Sequence, residues 1–235
     1  MNMLPPSAAA RPHWNGIYRI GAVAALAMLA IMAAQIGIYI AWPPPDSVSG
    51  FFALFQSNWL LGLLSMDLLY ILNNTLLVLI YLALYAALKP AGDTAVLIAL
   101  VLGLIGITAY YASNTAFEML SLSRQYAAAA SETQRVIALA AGEAMLATYK
   151  GTVFDTYYIL NGISLLIFAA VMLRSPLFSR ATAIIGLAAG VLMSIPSTAG
   201  TLGLVFSLLS LIPWAVFCIL LIKPFFQLEA KIAAR

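Results

Sequence analysis

Two stretches of this 235-residue chain set ionisable and amide side chains inside otherwise apolar sequence. One reads Asp67-Leu-Leu-Tyr70-Ile-Leu-Asn73-Asn74, the other Asp155-Thr-Tyr-Tyr158-Ile-Leu-Asn161-Gly162. On a helix, positions i, i+3 and i+7 share a face. Asp67, Tyr70 and Asn74 are therefore expected together with Asn73 close by, and so are Asp155, Tyr158 and Gly162 with Asn161 close by. Gly162 is expected to leave space opposite Asn74. Tyr110 and Tyr111 end a third apolar run at the same level, as Ser197 and Thr198 end a fifth. Two carboxylates among phenols and amides suit a cation, an amine or an exchangeable proton. The candidate ligand-binding set is thus Asp67, Tyr70, Asn73, Asn74, Tyr110, Tyr111, Asp155, Tyr158 and Asn161. An ionisable group in such surroundings is costly and usually faces protein or water. The competing reading is structural. Thr152 and Asp155 would cap a helix start, and Asp67 would hydrogen-bond backbone or a tyrosine hydroxyl to lock the bundle.

Other chemistry is excluded by absence. The lone cysteine, Cys218, rules out an internal disulfide framework and a thiolate metal cage. The lone histidine, His13, lies outside every apolar run, which removes the commonest general base and metal ligand from the membrane interior. No phosphate loop or nucleotide fingerprint is present. The Gly-x-Gly-Asp pattern of intramembrane aspartyl proteases is missing at both aspartates. These absences weigh against an enzyme, and neither a metal nor a cofactor is expected.

The elements that must carry these residues follow from composition. The chain is 64% hydrophobic and 8% charged, against about 25% charged in soluble domains. Lipid must be its solvent, so the backbone must satisfy itself. Apolar runs of about 20 residues without alternation predict helices. Six spans are read: Ile20–Ala41, Trp59–Leu88, Thr94–Tyr111, Phe154–Leu173, Ala181–Ile195 and Leu202–Ile222. The first is too long for a signal-peptide core and is expected to stay uncleaved. The second is too long for a bilayer, and its start, Trp59 to Met66, is expected to project beyond it. Alternation puts Arg11, Arg19, Lys89, Arg174, Arg180, Lys223, Lys231 and Arg235 on one side, and Arg124, Arg135 and Lys150 on the other. The positive-inside rule then makes both termini cytoplasmic, with residues 1–16 as a cytoplasmic tail. The net charge of +3 is read as this basic excess and not as a nucleic-acid footprint.

Residues 112–152 form an outer loop. Thr115 to Glu118 and Ser131 to Gln134 read as capping boxes, which predicts short helices near 116–129 and 132–148. Phe51–Phe55 adds a short piece on the outer surface, and together these make a helical cap. The two aspartate motifs share five of seven residues at an offset of 88, and Thr94-Ala95 matches Thr182-Ala183 at the same offset. Spans two–three and four–five then read as a parallel repeat of one helical hairpin. Asp67 lies 22 residues before Lys89, about 33 Å of helix, and both aspartates are expected near the outer boundary. Gly186 and Gly190 form a small-xxx-small packing pattern, Pro213 is expected to kink span six, and Gln35 and Tyr39 are expected to be satisfied internally.

Four segments carry a family resemblance: 154–162 (FDTYYILNG), 180–186 (RATAIIG), 196–203 (PSTAGTLG) and 207–214 (SLLSLIPW). Together they resemble an uncharacterised bacterial membrane family, catalogued as domain of unknown function 4386. The likeness covers most of the chain from Tyr18 onward. It implies a six-helix protein of the bacterial cytoplasmic membrane, and it supplies no activity or site residues. The chain is thus read as a single all-α polytopic transmembrane domain, 1–235. Its expected partners are the lipid bilayer and a small cationic or polar solute, bound or transported through an outward-facing polar pocket. Six spans are few for a two-repeat transporter, so a second copy of the chain is also expected. The alternative is a non-catalytic assembly or partner-binding subunit whose polar cluster is structural.

Overall fold

The structure, a computed structural model, describes residues 16–196 and 198–234. The tail 1–15 with Arg11 and His13, as well as Ser197 and Arg235, lie outside the described residues. The described residues form nine helices and no strand. Four helical stretches are long and apolar enough to cross a membrane: Ile17–Ala41, Leu68–Ala128, Glu132–Met172 and Gly200–Ala233.

Helix α1 (Ile17–Ala41) follows Gly16, whose positive φ of 84° suits glycine. The free amides at its start are met from the far end of the chain. Glu229 accepts from the backbone N–H of Gly16 at 3.0 Å and of Arg19 at 3.4 Å. The helix stops before Pro43-Pro44-Pro45, because proline cannot extend it. Helices α2 (Val48–Ser57) and α3 (Trp59–Ser65) are each started by a side-chain cap. Ser47 accepts from Gly50 N–H, and Asn58 from Leu61 N–H.

The run read as one span from Trp59 breaks at Met66-Asp67. Asp67 has φ 61° and ψ 29°, the one positive-φ non-glycine among the described residues. Helix α4 (Leu68–Ser113) starts after it. Past Pro90, the non-helical Gly92 divides α4 into two arms. The arms fold back on each other so closely that a Cβ on Gly103 would lie 2.3 Å from the Tyr81 ring.

Helices α5 (Ala116–Ala128) and α6 (Glu132–Tyr149) occupy the stretches expected of the long loop. Their starts differ in detail. Ser131 accepts from Gln134 N–H, while Gln134 reaches back to Ala130 N–H. No such box forms at Thr115, whose hydroxyl donates to the Met145 carbonyl. Asn114, one residue earlier, accepts from Ala116 N–H instead. Helices α2, α3, α5 and α6 enclose their own core of Phe51, Phe52, Phe55, Leu63, Met66 and Met119. The phenylalanines of α2 are thus part of the core of this cap.

Helices α7 (Thr152–Met172), α8 (Arg180–Met193) and α9 (Gly200–Ala233) complete the bundle. No side chain caps α7, so the Thr152–Asp155 cap is not formed. Away from the cap, α1, α4, α7 and α9 bury Met28, Leu84, Leu88, Phe168, Phe217 and Phe225. Gly186 faces Phe217 of α9, and Gly190 faces Leu166 and the Gly162 carbonyl of α7, so the small-residue pattern serves packing within the chain. Helix α9 runs on through Pro213 and Pro224. Large apolar side chains cover the outside of the bundle, among them Val23, Leu26, Leu97, Val101, Ile212 and Ile219, as expected of lipid-facing helices.

Gly103→Val should drive a branched side chain into the buried Tyr81 ring and cost about 1–3 kcal/mol. Thermal unfolding in detergent should show a clear fall in Tm. Gly37→Val, where a Cβ meets nothing within 4 Å, should leave Tm within a degree or two.

Candidate functional site

Four side-chain hydrogen bonds converge on the junction of α3 and α4. The left-handed backbone at Asp67 turns the chain between the two helices, and aspartate tolerates that conformation better than most residues. The carbonyls exposed by the break find side-chain donors. Asn114 Nδ2 donates to Met66 O at 3.0 Å, and the Tyr110 hydroxyl donates to Asp67 O at 3.4 Å. The Asp67 carboxylate does not cap α4. It accepts from the Tyr39 hydroxyl of α1 on one oxygen and from the Tyr149 hydroxyl of α6 on the other. One aspartate therefore joins α1, both arms of α4 and the cap.

Below this junction lies a cavity of about 1020 Å³. That is at the upper end of small-molecule pockets, about 300–1,000 Å³. Its walls are Met32 to Ile40 of α1, Tyr70 to Tyr81 of α4, Phe154 to Tyr158 of α7 and Ser207 to Trp214 of α9. Polar groups gather towards the cap. Gln35, Ser65 and Asn73, with exposures of 1%, 2% and 5%, line it there. Gln35 Oε1, Ser65 Oγ and Asn73 Oδ1 have no hydrogen-bond partner. The Gln35 amide nitrogen is bound to Leu64 O at 3.1 Å, so that side chain is only half satisfied. Buried polar atoms are normally paired, because an unpaired one costs about 1–3 kcal/mol. These three oxygens are closed off from the cavity space although their side chains belong to its wall, and Asn74 Oδ1 is closed off behind it. Asp67 is the acidic residue among the described lining residues, and Lys150, exposed at the rim, is the basic one. The ion pairs among the described residues, Lys89–Asp93 at 3.8 Å and Arg135–Glu132 at 3.7 Å, leave the Asp67 carboxylate without a cationic partner.

The expected site residues separate into three groups. Asp67, Tyr70, Asn73, Tyr110 and Tyr158 line the cavity. Asn74 and Asn161 are fully buried behind the wall. Asn74 donates to Tyr70 O at 2.9 Å, while Asn161 donates to Tyr157 O and accepts from the Tyr81 hydroxyl, both at 2.9 Å. Tyr111 and Asp155 are not among the described lining residues. Tyr111 is 38% exposed and shares a hydrogen bond with Thr75 at 3.0 Å. Asp155 accepts from the Thr198 hydroxyl, tying α7 to the segment before α9. The two aspartates differ because Asp67 precedes its helix, while Asp155 sits in the first turn of α7. Gly162 makes room for Gly190 of α8 and for Ser194 just past its end, and does not face Asn74.

Sequence reasoning passed over Tyr149, Ser65, Tyr157, Trp214 and the paired serines Ser207 and Ser210. The serines at i and i+3 on one face of an apolar helix were a usable signal. Tyr149 carried none, since its role depends on where the cap lands. Asn114→Ala should remove two of the junction's bonds at once. We expect a loss of about 1–3 kcal/mol, with faster amide exchange in α3 and at the start of α5 and unchanged exchange around Phe217.

A family model described as Domain of unknown function (DUF4386) matches residues 19–223. No curated protein and no solved structure matches the chain. The match covers well over half of the sequence, and the chain belongs to this family.

Proposed function

We propose that this DUF4386 protein binds a small cationic or polar solute in the cavity beneath its cap, with Asp67 as the anionic anchor. The observation that carries the reading is the cavity wall itself. A carboxylate without a cationic partner stands among tyrosine rings at the polar end of an otherwise apolar cavity. An ammonium supplies three N–H donors to such a wall. The surrounding rings of Tyr70, Tyr110, Tyr157 and Tyr158 favour a cation further. Asp155 takes no part, being bonded to Thr198.

The same reading includes six crossings of a bacterial cytoplasmic membrane by α1, the two arms of α4, α7, α8 and α9. Both termini are cytoplasmic, and the cap and the polar end of the cavity are on the outer side. The basic residues Arg19, Lys89, Arg174, Arg180 and Lys223 at the end away from the cap support this orientation. The hairpin of the α4 arms and the hairpin α7–α8 are read as a parallel repeat, on the strength of the motif offset alone. The cavity is one-sided, because Met28, Phe217 and Cys218 are packed beneath it. Transport would require α1 and α9 to part at Met28 and Cys218, whose sulfurs lie 4.0 Å apart.

A second reading is favoured by one observation: both oxygens of Asp67 are held by tyrosines. In that case the cluster is a structural lock, and the protein serves as a partner-binding subunit. Titration of butylammonium into the purified protein in nanodiscs separates the two. Solute binding predicts saturable affinity that weakens at least about ten-fold in Asp67→Asn, equivalent to about 1.4 kcal/mol, and persists in Asp155→Asn. A structural lock predicts a large fall in Tm for Asp67→Asn and no saturable binding in any form.

A further inference from the structure

We propose that the natural ligand is a single-chain amphiphile with a cationic head, taken up sideways from the cap-side leaflet of the bilayer. The inference rests on the reading that the cavity holds a cation at Asp67, and it adds the tail and the route.

The first observation is a gradient along the cavity. At the cap end stand Asp67, Gln35, Ser65 and Asn73. At the deep end stand Met32, Leu77, Met193, Leu211 and Trp214, and the hydroxyls of Tyr81 and Ser210 beside them are already bonded, to Asn161 and to the Ser207 carbonyl. Trp214 lies 14 residues into α9 from Gly200, about 21 Å along the helix, while the whole hydrocarbon core is about 30 Å thick. The deep half is therefore an apolar slot reaching towards the bilayer centre. A small hydrophilic amine would leave that half without a polar partner or an apolar guest. A head at Asp67 with a tail reaching towards Trp214 fills both halves. That is also the orientation an amphiphile already has in the cap-side leaflet, so it enters without turning over.

The second observation is the opening. Helices α1 and α9 pack directly at Gly21–Phe225 and Met28–Cys218. Nearer the cap they form opposite walls of the cavity, through Ile36 and Ile40 on one side and Leu208 on the other. These three residues line the cavity and are also 43%, 77% and 57% exposed, so they frame a mouth. Ile36 lies five residues inside the end of α1, about 8 Å, and Leu208 eight residues inside α9, about 12 Å. Both depths fall within the apolar layer of a bilayer entered from the cap side. A mouth at that depth, framed by isoleucine and leucine, opens to acyl chains and not to water.

Trp214 reports the tail. In full-length protein carrying Trp14→Phe, Trp42→Phe and Trp59→Phe, reconstituted in nanodiscs, 12-bromododecylammonium should quench the remaining fluorescence. Quenching should saturate near one amphiphile per protein, reverse on adding excess butylammonium, and need at least about ten-fold more probe in Asp67→Asn. Narrowing the mouth with Ile36→Phe and Leu208→Phe should slow saturation at least about ten-fold. Leu208→Phe alone serves if the pair fails to fold. Quenching that rises in proportion to the amine in the bilayer, equally in Asp67→Asn, overturns the amphiphile. If butylammonium binding still depends on Asp67 in that event, the cation site stands without the tail. If neither amine shows Asp67-dependent behaviour, both readings fall.

Discussion

Everything on the cap side of the bundle depends on how one carboxylate is satisfied. A buried polar group without a partner costs about 1–3 kcal/mol, so Asp67 is placed where other elements bring donors to it. It obtains them from Tyr39 of α1 and Tyr149 of α6. The backbone around it draws in Tyr110 and Asn114 at the end of α4. The positive φ at Asp67 ends α3 and begins α4, and so decides where membrane helix gives way to cap. One requirement of physical chemistry thus fixes the entry angle of α4, the docking of the cap and the roof of the cavity.

The two halves of the molecule are built on different logic. Away from the cap the bundle is held by apolar packing, with small residues letting helices approach: Gly186 against Phe217, and Gly103 against Tyr81. Small residues at helix contacts are the usual means of association where lipid offers no hydrophobic drive. Towards the cap that packing gives way to tyrosines, amides and a cavity.

The sequence was most legible where a local rule suffices. Apolar runs marked the long helices, Ser131 marked the start of α6, and the proline triplet marked the end of α1. It was least legible where tertiary placement decides. The two aspartate motifs read alike, yet one precedes its helix and the other sits within it, because the cap reaches Asp67 and not Asp155. Thr115 fits the capping pattern, but its hydroxyl is drawn to the Met145 carbonyl and Asn114 accepts from Ala116 N–H instead. Tyr149 could not be found from spacing, since nothing local tells a cap tyrosine that it will meet a carboxylate 82 residues away.

In the proposed site the Asp67 carboxylate both clamps the cap and receives the cation. Difference infrared spectroscopy on adding butylammonium reads both roles together, through the carboxylate stretch and the tyrosine C–O modes. One carboxylate band and the tyrosine modes should shift together, both shifts should vanish in Asp67→Asn, and both should remain in Asp155→Asn. A difference spectrum that is unchanged in Asp67→Asn would contradict this double role.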